Sequence, residues 1–256
     1  MLKLTNSLLS TFGFNLKKFF YSITSLHLFF FNLLKYIKKG GKINGILPIL
    51  GQHKETSGKI DKHYFFQDYL VSSFIYSAKP KKHIDVGSRL DGFVSSVAVY
   101  RNIEVIDIRN NDTNLKNIRF HKGDINNIDS SFYNSTDSLS CLHTVEHIGL
   151  GRYGDSPDPK GHIKAFENLL QILKPNGLLY LSFPISSEDK VYFNAHRVFH
   201  PLSIFQWSSN ISIKNLIRFD WIDDAGKLHL NSKLKINFSK IKYGCGIYTL
   251  KKIRTF

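Results

Sequence analysis

The sequence predicts an α/β fold, a doubly wound and mostly parallel sheet with helices on both faces, preceded by an N-terminal amphipathic helix. Three observations carry this. Short apolar runs of strand length alternate with segments of helical spacing from about residue 63 to residue 183. Acidic and histidine residues stand at or just beyond the carboxyl ends of those runs, where open parallel sheets bind ligands. The chain has 256 residues and is 42% apolar, enough for one sizeable core with an appendage.

Residues 1–45 stand apart from the rest. Phe19 to Leu34 carries no formal charge, is rich in Phe and Leu, and has Lys17, Lys18, Lys35, Lys38 and Lys39 at its ends. A membrane-spanning helix needs about 20 mostly apolar residues. This run is shorter and is interrupted by Ser22, Thr24, Ser25, His27 and Asn32. No small-residue cleavage site follows, and Gly40-Gly41-Lys42 reads as a linker, which argues against a signal peptide. The expectation is a basic amphipathic helix that either lies on a membrane or packs on the core, followed by one domain over residues 46–256.

The elements of that domain follow in order. Asn44 to Lys59 is irregular. Phe66, Leu70 and Phe74 give His63 to Ala78 an apolar helical face, and Pro80 stops it. His83 to Val86 is the first strand. Gly87-Ser88 makes a tight turn into a helix that continues from Val94 to Tyr100. Ile103 to Ile108 and Ile118 to Phe120 are strands, and Ser138 to Leu142 is a buried one. His162 to Leu173 is a helix with Ile163, Phe166, Leu169, Leu170 and Leu173 on one face, and Leu178 to Phe183 is the next strand. Leu216 to Trp221 and Gly246 to Leu250 read as an antiparallel pair at the sheet edge.

Net charge is +15 and unevenly spread. Residues 1–54 hold eight Lys and no acid, residues 208–256 hold ten basic and three acidic groups, and the middle is balanced. Basic ends suit an anionic membrane surface, a phosphorylated glycan intermediate or nucleic acid, and a solvated lysine surface is the plain alternative. The neutral middle and the lack of an Asn-Pro-Pro-Tyr-type motif disfavour nucleic acid. Cys141 and Cys245 have no CxxC spacing and sit in strand-like contexts, so they read as buried structural thiols in a reducing cytoplasm, at the inner face of a membrane if the N-terminal helix binds lipid.

The candidate chemistry lies at the strand ends. Asp85 is in the first turn. Asp107 ends the second strand 22 residues later, near the ~20 expected of an acid that holds ribose hydroxyls. Asp124 follows the third strand, and His143-Thr144-Val145-Glu146-His147 follows the fourth. The order Asp85-Val86-Gly87-Ser88, Asp107, Gly123-Asp124, Leu142 to His147 and Leu173-Lys174-Pro175-Asn176-Gly177 resembles the class I S-adenosylmethionine-dependent methyltransferase superfamily over residues 80–185. It departs from that superfamily's Gly-x-Gly turn by delaying the second glycine to Gly92. The stretches 83–93, 149–155 and 193–197 also resemble a methyltransferase-like family associated with bacterial surface-polysaccharide clusters.

The resemblance implies a seven-stranded Rossmann-like sheet with an antiparallel edge strand. It implies that Gly87, with its neighbours Asp85, Ser88 and Arg89, holds the methionine part of S-adenosylmethionine. Asp107 would hold the ribose with Ile108 against adenine, Asp124 and Ile125 would frame the base, and His143 would pack near the cofactor through its backbone. Ubiquinone-type O-methyltransferases carry Glu-x-x-Glu-His for a divalent cation where this chain has His143, Glu146 and His147, so a metal there is one reading and a polar pocket the other. A zinc-protease reading of the same spacing requires a helix, and this stretch begins a loop.

Methyl transfer to a hydroxyl requires removal of a proton, which suits an imidazole. His147 is the first candidate base, His196 the second and His162 the third. Arg152, Tyr153, Asp155 and Arg197 are candidates for binding an anionic or hydroxyl-rich acceptor, with residues 149–155 as a mobile substrate loop. The expected function is O-methylation of a sugar, glycan or phosphorylated glycan intermediate in surface-polysaccharide or capsule biosynthesis. A membrane-docked, cofactor-binding component of a glycan assembly complex and a nucleic-acid methyltransferase are the alternatives.

Overall fold

The computed structural model describes residues 13–51, 62–111, 114–234 and 237–253. Residues 1–12 of the expected basic segment and most of the irregular stretch 44–59 lie outside the described residues. The chain forms two compact units, Met1–Ile60 and Asp61–Phe256.

In the first unit, helix α1 (Leu16–Lys38) begins at Asn15, whose side chain accepts a hydrogen bond from the Lys18 amide at 2.9 Å. Lys35 and Lys38 lie in its last turn, where positive charge suits the helix dipole. Phe20, Phe30, Phe31 and Leu34 are exposed. A Cβ built on Gly51 would lie 3.6 Å from Tyr21 Cβ, so the chain returns to α1 after leaving it. Residues 46–51 lie in this first unit with the helix. No described helix is long and apolar enough to cross a membrane.

In the second unit, helix α2 (Lys62–Ala78) ends before Pro80, as the sequence predicts. The sheet has eight strands. In spatial order they are β3 (Ile118–Lys122), β2 (Ile103–Asp107), β1 (His83–Val86), β4 (Thr136–Leu142), β5 (Leu173–Ile185), β10 (Gly244–Lys251), β8 (Leu216–Ile222) and β9 (Leu228–His229). The first five are parallel, β10 runs antiparallel to both β5 and β8, and β9 runs antiparallel to β8. This is the Rossmann-like arrangement, with one strand more than the expected seven. The extra strand is β9, two residues long and too short to carry a period; it is held where the His229 ring stacks on Trp221 at 4.3 Å. A separate hairpin pairs β6 (Lys190–Tyr192) with β7 (His196–Val198).

Central strands flanked on both faces read as nearly continuous apolar runs. On one face Ile84, Leu139, Leu179 and Leu181 pack with Ala165, Phe166 and Leu169 of α4 (Gly161–Ile172). On the other, Val105, Tyr180 and Ile247 pack with Leu70, Val71 and Ile75 of α2. Phe166 and Leu169 are fully buried, and truncating either to alanine should cost about 2–5 kcal/mol.

Two elements differ from expectation. The helix expected over 94–100 opens as a π-turn at Leu90–Val94, and its α-helical part, α3, spans only Ser95–Ala98. Strand β5 begins at Leu173, because the Lys-Pro-Asn-Gly turn is a local irregularity within the β4 pairing, with Thr136 paired to Leu173 and Ser138 to Leu178.

Candidate active site

The strand order reverses between β1 and β4, which opens a crevice at the carboxyl ends of the parallel strands. A cavity of about 320 Å³ fills it, a size suited to a small-molecule ligand. Its walls are the Gly87 turn, the ends of β2 and β4, the Gly123–Ile125 turn after β3, and residues 147–155.

Gly87 sits at φ +74°, and an added Cβ would fall 2.4 Å from Thr144 Cγ2. Only glycine lets the backbone turn here against the chain leaving β4. Asp85 lies fully buried below the turn. Its Oδ2 accepts from the Ser88 amide at 3.0 Å, and its Oδ1 accepts from the Ser88 and Ser140 hydroxyls at 2.7 and 2.5 Å. Burial pushes its carboxyl up to about 7. Asp85 and Ser88, both expected at the cofactor, thus brace the turn from beneath and are not among the residues that line the cavity. Arg89 does line it, with its guanidinium forked onto Asp91 at 3.0 and 2.7 Å and lying over the Tyr64 ring.

Asp107 closes β2 at the cavity, nearly buried. Arg109 donates to both its oxygens, Nε to Oδ1 at 2.9 Å and Nη2 to Oδ2 at 2.6 Å. Ile108, Asp124 and Ile125 also line the cavity. Asp124 caps the short turn after β3, accepting from the Asn126 amide at 2.9 Å and the Asn127 side chain at 3.1 Å.

The stretch after β4 brings two histidines around one carboxylate. His143, at φ +48°, takes its backbone bond from the β5 side, its amide donating to Ser182 O at 3.0 Å. Its Nδ1 lies 2.8 Å from Glu146 Oε1, and its Nε2 is buried with no hydrogen-bond partner. Burial opposes charge on this imidazole, but the Cys245 and Glu146 groups outweigh it and hold the ring well above the usual histidine range. Glu146 is almost fully buried, and its Oε1 also lies 3.8 Å from His147 Nε2. His147 Nδ1 donates to Ala195 O at 2.7 Å, which leaves Nε2 as the basic nitrogen of a side chain that lines the cavity. Burial lowers the pKa of His147, and does the same for His196, whose ring meets His147 edge-on at 6.3 Å.

The expected metal set does not converge. Among the described residues, the one group of three ligand-type side chains whose donor atoms all lie within 4.8 Å of one another is His63, His143 and Cys245. Glu146 and His147 are not in it, because Glu146 is engaged with the Nδ1 side of His143 and His147 Nδ1 is turned to Ala195.

Two other candidates lie away from the cavity. His162 does not line the cavity. It packs on Phe199 and Trp207 with ring centroids at 5.2 and 5.4 Å, and burial pushes its pKa down to about 4. Arg197 is buried, and its guanidinium is spent on the carbonyls of Ile148 at 2.6 Å and Asp158 at 3.2 Å, so it clamps the 148–159 loop and does not line the cavity. Within that loop Asp155 lines the cavity, but its carboxylate accepts from the amides of Gly149 at 2.6 Å, Gly151 at 3.3 Å and Tyr153 at 3.2 Å. Burial opposes its charge, and these three bonds prevail and hold its pKa below the usual range. Gly149, at φ +80°, lies where a Cβ would strike Asp158 O at 2.2 Å. The stretch expected as a mobile substrate loop is therefore tied to itself at several points. Arg152 and Tyr153 remain at the cavity wall. Two guanidiniums lie over the Tyr153 ring, Arg109 at 4.9 Å and Arg152 at 5.1 Å.

Sequence reasoning missed Arg109, Tyr64, Thr144, His63 and Cys245. Arg109 had a weak signal, a cation two residues past the key acid. The others come together only through the packing of α2, β4 and β10.

The comparisons agree with this architecture. A solved structure of Burkholderia thailandensis 1,6-didemethyltoxoflavin-N1-methyltransferase, with bound 1,6-didemethyltoxoflavin and S-adenosylhomocysteine, is similar at 12% identity and a TM-score of 0.51, over 74% of this chain and 80% of that one. N-methyltransferase NodS from Bradyrhizobium japonicum WM9, in complex with S-adenosylhomocysteine, aligns at 13% identity and 0.48, over 74% and 86%. A Clostridium acetobutylicum S-adenosylmethionine-dependent methyltransferase aligns at 11% and 0.46, over 75% and 93%. At such identities the likeness is one of fold: the second unit has the fold of S-adenosylmethionine-dependent methyltransferases. No curated protein matches by sequence. One family model matches residues 83–237, more than half of the chain, and its description is a Caenorhabditis protein of unknown function, DUF268. The chain therefore belongs to the DUF268 family.

Proposed function

We propose that the protein is an S-adenosylmethionine-dependent methyltransferase acting on a hydroxyl of a sugar, glycan or phosphorylated glycan intermediate. The observation that carries this reading is the cavity at the sheet's reversal point, with Gly87, Asp107 and His147 on its walls. The residues present fit the cofactor. The Gly87 turn offers backbone that a side chain would obstruct, and Asp107 offers a carboxylate at the ribose position. Arg109 takes both sites on Asp107 Oδ1, through its amide at 2.8 Å and Nε at 2.9 Å, and one on Oδ2 through Nη2 at 2.6 Å; a carboxylate has about four such sites, so Oδ2 keeps one for a ribose hydroxyl. Ile108, Asp124 and Ile125 would frame the base. When bound, the cofactor supplies an electrophilic methyl group on a sulfonium centre.

The chain's own part is acid–base and positional. His147 Nε2 takes the acceptor hydroxyl's proton. Its lowered pKa keeps it neutral and ready near pH 7, and Glu146 at 3.8 Å stabilises the imidazolium that results. His196 lies beside it as a secondary base. Tyr153 with Arg109 and Arg152 beside it offers an aromatic surface and two cations, which suits a sugar ring bearing phosphate or carboxylate. In the first unit, the exposed aromatic side chains of α1 and its terminal lysines suit an anionic membrane surface, where a lipid-linked glycan would be met.

The test is methyl transfer from labelled cofactor to a panel of nucleotide sugars and phosphorylated glycans. His147→Asn should lower kcat by about 10²–10⁴ and leave cofactor affinity in place. Tight cofactor binding with no methylated acceptor across the panel would favour the non-catalytic alternative.

A further inference from the structure

Outside the acid–base machinery, three side chains from distant parts of the chain converge. His63 lies at the start of α2, His143 just after β4, and Cys245 at the start of β10. Their donor atoms all lie within 4.8 Å of one another. We propose that His63, His143 and Cys245 form a His-His-Cys site for a zinc-type divalent cation.

A second observation points the same way. A metal-binding histidine typically donates its other ring N–H to a carboxylate, which fixes the tautomer and aims the free nitrogen. His143 has this arrangement: Nδ1 is held by Glu146 Oε1 at 2.8 Å, and Nε2 is buried with no hydrogen-bond partner. An orphaned buried ring nitrogen is costly, and a cation that displaces its proton would give it a partner. Cys245 is fully buried, with its Sγ beside the His143 ring and 3.8 Å from Gly246 O.

The donor set selects the ion. One thiolate with two imidazoles suits Zn(II) or Co(II), and disfavours Mg(II) and Ca(II), which prefer oxygen. Ligands at about 2.0–2.3 Å around a tetrahedral ion lie about 3.3–3.6 Å apart, so side-chain shifts of roughly 1 Å close the site. Three protein ligands leave a fourth position for water or for an acceptor's oxygen or nitrogen. His143 is also a cavity-lining residue, so the site adjoins the place assigned to the reaction without depending on it.

The experiment uses the full chain, stripped with a chelator under reducing conditions and titrated with Co(II) alone, with no methyl donor present. The wild type should bind one equivalent, with a thiolate-to-cobalt charge-transfer band in the near ultraviolet and the intense d–d bands of tetrahedral cobalt, and Zn(II) should displace it. Cys245→Ser should abolish the charge-transfer band. His63→Ala, at a half-buried position, should weaken Co(II) at least about 10-fold, and Glu146→Gln by about 10–100-fold while keeping the band. Circular dichroism of each variant separates lost binding from lost folding. If Cys245→Ser does not fold, the wild-type spectrum and His63→Ala decide. Absence of the band in the wild type, or equal Co(II) affinity in the wild type and His63→Ala, overturns the site. Because no methyl donor is present, failure here is distinct from failure of the methyl-transfer reading.

Discussion

Replacing Gly87 with alanine would place a methyl group 2.4 Å from Thr144 Cγ2 and 3.0 Å from Thr144 Oγ1, on a backbone at φ +74°. Two separable costs follow. The left-handed conformation costs a non-glycine residue about 1–2 kcal/mol. Overpacking against Thr144 adds about 1–3 kcal/mol. The sum, about 2–5 kcal/mol, corresponds to a Tm lower by roughly 5–15 °C for a domain of this size. A double-mutant cycle divides it. Thr144→Ala removes both of the nearest atoms and leaves Thr144 Cβ at 3.3 Å from the new methyl. In that background Gly87→Ala should cost only the backbone share, giving a coupling of about 1–3 kcal/mol. Urea denaturation of the four proteins reads it directly. Wild-type stability for Gly87→Ala, or the same loss in both backgrounds, would refute the claim that this backbone is pressed against Thr144.

Three further outcomes are expected. Burial holds His162 at about 4, against 6.5 for the ordinary group, so the unfolded chain takes the proton first; its contribution is intact above pH 6.5 and is lost as pH falls towards 4. His162→Phe, which keeps a ring against Phe199 and Trp207, should flatten the stability slope across that window and leave turnover unchanged; an unaltered slope contradicts this. Arg197→Met removes a charged donor from the carbonyls of Ile148 and Asp158, and should cost about 2–4 kcal/mol and speed proteolysis within 148–159; cleavage at the wild-type rate would count against the clamp. The full chain should sediment with phosphatidylglycerol vesicles and less with neutral ones, and the pair Phe30→Ser and Phe31→Ser should weaken this; equal sedimentation of the variant argues against an interfacial α1.

Asp107 and Asp124 were legible because strand ends are set by apolar runs of countable length, and the crevice of a parallel sheet lies just past them. The same reasoning picked out His147, just past the fourth strand. Asp85, Arg197 and His162 do not line the cavity, for one physical reason. A polar residue beside a motif can be spent locally, and the sequence does not show on what: Asp85 on two serines, Arg197 on loop carbonyls, His162 on an aromatic cluster. Buried charges need partners, and those partners are carbonyls and hydroxyls with no sequence signature. Cys245 read as a structural thiol because its neighbours are apolar strand residues. Only the packing of α2 and β4 against the start of β10 brings it beside two imidazoles. Strand β9 escaped notice because two residues cannot show a period.

The most direct measurement is the calorimetric binding of S-adenosylmethionine to the wild type, Asp107→Asn and Arg109→Ala. Micromolar binding is expected in the wild type. Asp107→Asn should weaken it at least about 10-fold, as loss of charge-assisted hydrogen bonds worth about 1.5–3 kcal/mol requires. Arg109→Ala releases the same carboxylate from its guanidinium and should keep or tighten binding. No heat of binding in the wild type, or an affinity indifferent to Asp107→Asn, would contradict the assignment of this cavity to the cofactor.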